Sequence, residues 1–210
     1  MIDLYTWTTP NGRKVSVMLE ECGLEYSVHK VDIHAGEQFA PEFVRICPNS
    51  KIPAIVDRAG EDGETSVFES GAILVYLGEK SGRLLPKSGA PRAKALEWTF
   101  WQMANLGPML GQANYFANTA EEKIPHAIER YLTESARLFR VMDDQLGRSE
   151  YLAGDYSIAD VATYAWATLG FGLIRSLKPD VVGEGAGVAR WLEAIAARPA
   201  VARGMVIPEG

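Results

Sequence analysis

The chain has 210 residues, enough for one domain or two small ones and enough to bury a core without disulfide staples or a structural metal. Hydrophobic residues make up 47% and charged residues 23%, which excludes disorder along the whole chain. The net charge is −6 and the 21 lysines and arginines are spread along the sequence, which excludes a general nucleic-acid binder, since that needs a concentrated basic face.

Ile2 to Thr6 reads as a short strand. Asn11 to Cys22 reads as a helix, because Val15, Met18 and Leu19 recur at helical spacing and Gly23 follows as a C-cap. Tyr26 to Ile33 alternates and is predicted as a second strand, and Pro41 to Ile46 as one short helix. Ile52 to Asp57 is a strand with a proline at its start, where the missing N–H does least harm. Residues 58–64 read as a hairpin turn, Ser66 to Phe68 as a strand and Ser70 to Lys80 as a helix. Gly82, Pro86, Gly89 and Pro91 mark residues 81–91 as a linker. Beyond it the pattern is helical: Lys94 to Phe116 with a kink expected at Gly107-Pro108, Pro125 to Gly147, a third helix opened by a capping box at Ser157 to Asp160, then Gly187 to Ala197 and Pro199 to Val206. The predicted order is βαβαββα over residues 1–80, followed by an all-helical domain over 92–210. That is the layout of a thioredoxin-like domain joined to a helical bundle, an α+β unit followed by an all-α one.

The cysteines are Cys22 and Cys47, and the histidines His29, His34 and His126. With no CxxC and no HExxH, no metal site is expected, and the two cysteines are read as reduced thiols of a cytoplasmic protein, a single disulfide being the alternative. The start, Met1 to Tyr5, lacks the basic and apolar regions of a signal peptide, and no stretch approaches the ~20 apolar residues of a membrane helix, so no membrane partner is expected.

Candidate chemistry lies in the first eighty residues. In Thr8-Thr9-Pro10-Asn11-Gly12, Thr9 and Pro10 make a good helix start. They also hold a hydroxyl and an amide at the positive end of a helix dipole, where an anion is favoured. In Asn49-Ser50-Lys51-Ile52-Pro53 the proline is either part of an ordinary turn or a cis residue that bares the preceding backbone for an extended peptide. In Phe68-Glu69-Ser70-Gly71, Ser70 either caps a helix and nothing more, or shares in binding a carboxylate while Glu69 meets an ammonium. Gln38 carries no signal alone. Taken together, these groups offer partners to a tripeptide with two carboxylates, an ammonium and a thiol.

The segments TPNG (9–12), PNSKIPAIVD (48–57), FESGAILVYL (68–77), LGPMLGQ (106–112), IPHAIERY (124–131) and YSIADVA (156–162) resemble the glutathione transferases, most closely the nu class of bacterial disulfide-bond oxidoreductases. The resemblance covers nearly the whole chain. It implies that Ser70 and adjacent backbone hold the γ-glutamyl carboxylate of glutathione and Glu69 its amino group. It further implies that Ile52, ahead of a cis-Pro53, pairs with the cysteinyl unit, that Lys51 and Gln38 reach the glycyl carboxylate, and that Thr9 and Asn11 face the sulfur. It implies a homodimer in which Arg130 of the other subunit completes the site; a solvated helix-face charge is the plain alternative for Arg130. Ala104-Asn105 and Asn114-Tyr115 depart from the class pattern and bear on the second substrate rather than on glutathione.

A thiol of pKa ~8.5 is only about 3% thiolate at neutral pH. Lowering it by two units takes about 2.7 kcal/mol of preference for the anion. One hydrogen bond to a charged group contributes roughly 1.5–3 kcal/mol, so Thr9 and Asn11 at a helix end suffice without a tyrosine. Tyr5, the rival hydroxyl, lies within a strand and reads as packed. With no cysteine in the TPN segment, glutathione itself must supply the thiols for any disulfide exchange. The leading expectation is therefore a glutathione-dependent disulfide oxidoreductase acting on a small-molecule disulfide, with glutathione or glutathione disulfide bound and no metal. Conjugation of glutathione to small electrophiles is the second reading, and a non-catalytic glutathione-binding or regulatory protein the third.

Overall fold

A computed structural model describes residues 1–209. The chain divides into two compact units, Met1–Lys87 together with the segment from Ala196 onward, and Ser88–Ile195.

In the first unit the strands β1 (Ile2–Thr6), β2 (Tyr26–Lys30), β3 (Ala54–Gly60) and β4 (Gly63–Phe68) form a sheet of order β2-β1-β3-β4. β1 runs parallel to β2, so the chain must cross over between them, and α1 (Pro10–Cys22) is that crossover. α2 (Pro41–Ile46) follows β2, and α3 (Ser70–Ser81) follows β4. β2 is shorter than its alternating pattern suggested, because the chain turns after Lys30 and sends Val31 into the core. β3 starts at Ala54 rather than Ile52, since Pro53 has no N–H to give the ladder. β3 then runs on to Gly60, which narrows the expected 58–64 turn to Glu61 and Asp62.

Side-chain alternation splits the sheet into two buried faces. Leu4 and Ile55, paired across β1 and β3, are fully buried, as are Val15, Met18, Leu19, Ile73, Leu74 and Leu77 of α1 and α3. Tyr5 and Ala54 face the other way, into a cluster with Val31, Phe43 and Cys47.

The segment after Ala196 was expected in the helical domain, yet it groups with the first unit. The hydroxyl of Ser16, buried in the middle of α1, lies 3.2 Å from the Arg13 carbonyl of its own helix and donates at 2.7 Å to the Gly204 carbonyl of α10 (Pro199–Gly204). A Cβ at Gly204 would lie 2.5 Å from Val17 Cα, so only glycine permits this approach. Arg198 forks onto Glu21 at 2.6 and 3.0 Å, and Arg203 meets Glu20 at 2.6 Å.

The second unit holds α4 (Gly89–Trp101), α5 (Gly107–Asn114), α6 (Pro125–Leu146), α7 (Ile158–Leu177), α8 (Pro179–Val182) and α9 (Ala186–Ala196). α4 starts at Gly89, so the non-helical connection spans only residues 82–88. The kink expected at Gly107-Pro108 is a π-helical turn, Gln102–Leu106, immediately before it. Pro108 lacks the N–H that would continue the tighter ladder, and the wider turn keeps the helix running. A second π turn, Tyr115–Thr119, ends α5. The capping box at α7 is present: Asp160 accepts from Ser157 N at 3.0 Å, from Leu152 N at 3.0 Å and from Trp191 Nε1 at 2.8 Å. Among the described residues no helix is long and apolar enough to cross a membrane, and no group of three His, Cys, Asp or Glu could hold a metal.

Candidate functional site

Strand register brings the candidate segments of the first unit to one end of the sheet. Tyr5 pairs with Ala54, and Ala54 pairs with Phe68. The end of β1, which leads into Thr9, therefore lies beside the start of β3, which follows Lys51-Ile52-Pro53. Both lie beside the end of β4, which leads into Glu69-Ser70. Thr6 pairs with Lys30, so the connection carrying Gln38 leaves from the same end. Residues 9–12, 38, 51–53 and 69–70 thus share one edge, although 60 residues separate the outermost.

At the first of these segments, Thr9 caps α1 with extended backbone, and its Oγ accepts from Gly12 N at 3.2 Å. A hydroxyl that accepts this way keeps its own proton to donate. Pro10 occupies the first turn, Asn11 follows it partly exposed, and the first turn of this helix contains no acidic residue. A Cβ at Gly12 would meet Thr6 Oγ1 and the Trp7 carbonyl at 2.4 Å, so only glycine lets the helix begin this close to β1.

The peptide bond between Ile52 and Pro53 is cis. Cys47 Sγ donates to the Lys51 carbonyl at 3.2 Å, and Lys51 itself is exposed. Ser70 was expected to cap α3 but is its first residue; the cap position is Glu69, at φ 70° and ψ 115°. Left-handed φ at a non-glycine costs on the order of 1–3 kcal/mol and is typical of ligand-binding turns. Asn49 Nδ2 donates to Glu69 Oε1 at 3.5 Å. The Glu69 side chain makes no cap bond to α3, whose first N–H groups lie at the end of the sheet that these segments share. Gln38 Nε2 donates to the Ile33 carbonyl at 3.4 Å, and its Oε1 is buried with no partner among the described residues.

One residue of this edge escaped the sequence reading. Lys14, 2% exposed, extends from α1 to Ser70 Oγ at 3.5 Å. Burial pushes its pKa down to about 7, opposed by the nearby Glu69 carboxylate. Its spacing of three, four and seven from Val17, Met18 and Glu21, all buried, was a usable signal that it lies on the inner face of α1.

Tyr5 stacks on His29, ring centroids 4.7 Å apart, and burial raises its hydroxyl pKa, in keeping with packing. Cys22 and Cys47 are free and buried, and burial pushes the Cys22 thiol up. In the second unit, Arg130 is exposed on α6 at the rim of a cavity of about 640 Å³, lined also by Asn105, Met109, His126, Glu129 and Glu134.

Residues 1–79 match the glutathione S-transferase N-terminal domain family. The chain is 47% identical over 209 residues to the disulfide-bond oxidoreductase YfcG of Escherichia coli K12, covering 98% of this chain and 95% of that protein. Its backbone is similar to a glutathione transferase from Burkholderia graminis with two glutathione molecules per subunit. The TM-score is 0.91 and the identity 44%, with 99% of this chain and 88% of that one covered. It is equally similar to a glutathione transferase from Pseudomonas putida with one glutathione disulfide per subunit, at TM-score 0.91 and 42% identity, covering 99% and 91%. Near-complete coverage at this identity, on a sheet edge with the same cis-proline turn and uncapped helix start that the sequence motifs mark, makes the chain a member of the glutathione transferase family.

Proposed function

We propose that the protein is a glutathione-dependent disulfide-bond oxidoreductase of the nu class, in which bound glutathione supplies every reacting sulfur. The observation that carries this reading is that both cysteines are buried, Cys47 at 1% and Cys22 at 8% exposure, and that neither lies in the Thr9–Gly12 turn. A buried, protonated thiol is a poor nucleophile. Thr9 Oγ–H and Asn11, at the positive end of α1, stabilise the glutathione thiolate. Ser70 and the first N–H groups of α3 take the γ-glutamyl carboxylate, Glu69 the ammonium, the Ile52 backbone the cysteinyl unit, and Lys51 with Gln38 the glycyl carboxylate. Gln38 does so through the second hydrogen of its amide, the first being engaged by Ile33.

The glutathione thiolate attacks one sulfur of the substrate disulfide, forming a mixed disulfide and releasing one thiolate, which takes up a proton. A second glutathione thiolate attacks the glutathione sulfur of that mixed disulfide, forming glutathione disulfide and releasing the second thiol. Two glutathiones are oxidised as one disulfide is reduced. In this reading the protein is a cytoplasmic homodimer, and Arg130 of one subunit completes the site of the other.

Conjugation to small electrophiles uses the same thiolate and is the second reading, favoured by the transferases among the structural relatives. One assay separates the two. Purified protein with excess glutathione is given bis(hydroxyethyl) disulfide in one arm, coupled to glutathione reductase, and chlorodinitrobenzene in the other. Dominant disulfide turnover is expected; dominant conjugation moves the protein to the second reading, and silence in both arms overturns both.

A further inference from the structure

We infer that Lys14 is a positioning residue for anion binding at the α3 start: buried, and reaching Ser70 Oγ, it sets a positive charge behind the ligand carboxylate. The inference rests on the proposed role of Ser70 with the γ-glutamyl carboxylate.

The geometry carries it. Lysine is almost never fully buried without a purpose for its charge, because desolvating an ammonium is costly. Lys14 is 2% exposed, and the group it reaches across the fold, 56 positions on, is the first side chain of α3. The first N–H groups of α3 lie at the same place, and the Glu69 side chain does not cap them. Lys14 and the helix end therefore act on one anion site together, helix dipole in front and ammonium behind.

The charge of Lys14 is variable. Burial brings its pKa to about 7, and the carboxylate acting on it is Glu69, on the turn into α3. On the elements packed against α1, Asp3 of β1 is engaged by His29 and Arg58, Arg198 and Arg203 by Glu21 and Glu20, and Lys80 of α3 by Asp57; Glu79 of α3 and, on α1 itself, Arg13 are the further charged groups. A bound carboxylate favours protonated Lys14, and by reciprocity protonated Lys14 favours the carboxylate. Affinity for the carboxylate therefore falls as pH rises through about 7.

The test is calorimetric, with two probes that have neither a thiol nor an amine titrating in the range used: S-methylglutathione, and its analogue with 4-aminobutyryl in place of γ-glutamyl, which lacks the α-carboxylate. Between about pH 6 and 8, affinity of the unaltered protein for the first is expected to fall about tenfold, within the usual 5–150-fold of site coupling, while the second stays flat. Histidines elsewhere act on both probes alike and cancel. In Lys14→Met, which keeps length and apolar stem, the difference in slope disappears and S-methylglutathione binds about tenfold more weakly at low pH. Equal slopes for the two probes, or a slope that survives in folded Lys14→Met, overturn the inference. If Lys14→Met does not fold, the two-probe comparison on the unaltered protein decides alone. Failure of the unaltered protein to bind either probe overturns instead the glutathione reading beneath it.

Discussion

Thr9 has two duties. Its oxygen caps α1 by accepting from Gly12 N, and its proton serves the sulfur in the proposed mechanism. Thr9→Ala removes both. The lost cap costs about 1 kcal/mol of stability. The lost bond to the thiolate, worth roughly 1.5–3 kcal/mol, lowers disulfide turnover by about ten- to a hundredfold. Thr9→Ser keeps the cap and the proton and is expected to retain most activity, and Asn11→Ala to lose activity while melting near the parent temperature. Turnover and thermal unfolding of the three variants check this; full activity in Thr9→Ala removes Thr9 from the sulfur. Residue by residue, the visible part of the site was the part made by local chemistry. Thr9-Pro10 announces a helix start in any context, and an isoleucine-proline step at a strand start suggests a cis bond. Lys14 and the left-handed Glu69 were invisible as contacts, because each owes its position to a partner 20 or more positions away: Ser70 for Lys14, Asn49 for Glu69.

At the scale of elements, two buried acids hold the units together in different ways. In the first unit, Asp57 is fully buried on β3. Burial raises its pKa, but hydrogen bonds from Lys80 at 2.8 Å and Tyr76 at 2.7 Å outweigh it and hold the carboxyl below its ordinary value. A carboxyl with a depressed folded pKa contributes stability that is present above the unfolded value of ~3.9 and lost as pH falls through the folded one. Lys80→Met removes the larger opposing contribution, so its acid unfolding midpoint moves to higher pH, read by circular dichroism against the parent. In the second unit, Asp160 ties the start of α7 to Leu152 and to Trp191 of α9, while burial pushes its own pKa up to about 6. Asp160→Ala strands the Leu152 and Ser157 amides and the fully buried Trp191 indole, each at about 1–3 kcal/mol. Its urea midpoint falls by an amount matching ~3 kcal/mol or more, and a shift under 1 kcal/mol contradicts this account. The capping box was legible because four consecutive residues write it. The π turns were not, because a single glycine-proline pair signals a disturbance without saying whether the helix bends, breaks or widens.

For the molecule as a whole, the remaining question is assembly. The proposed site is completed by Arg130 of a neighbouring subunit, so sedimentation at micromolar concentration is expected to give twice the mass of the chain. Arg130→Ala, exposed on α6, is expected to keep that mass and weaken glutathione about tenfold, as loss of one charge-assisted hydrogen bond would. A monomer removes Arg130 from the site.

The amino-acid sequence by itself determined the order of strands and helices, the two-part layout and the family, because periodicity, caps and short motifs are written in neighbouring residues. Tertiary structure alone decided that the segment after Ala196 returns to α1, where the Ser16 hydroxyl meets the Gly204 carbonyl and only a glycine allows so close an approach to Val17. It alone decided that Lys14 stands behind Ser70. Both depend on what the chain places across a gap of tens of residues: local spacing can mark a helix face as inward, but the partner it meets there is a property of the packed molecule.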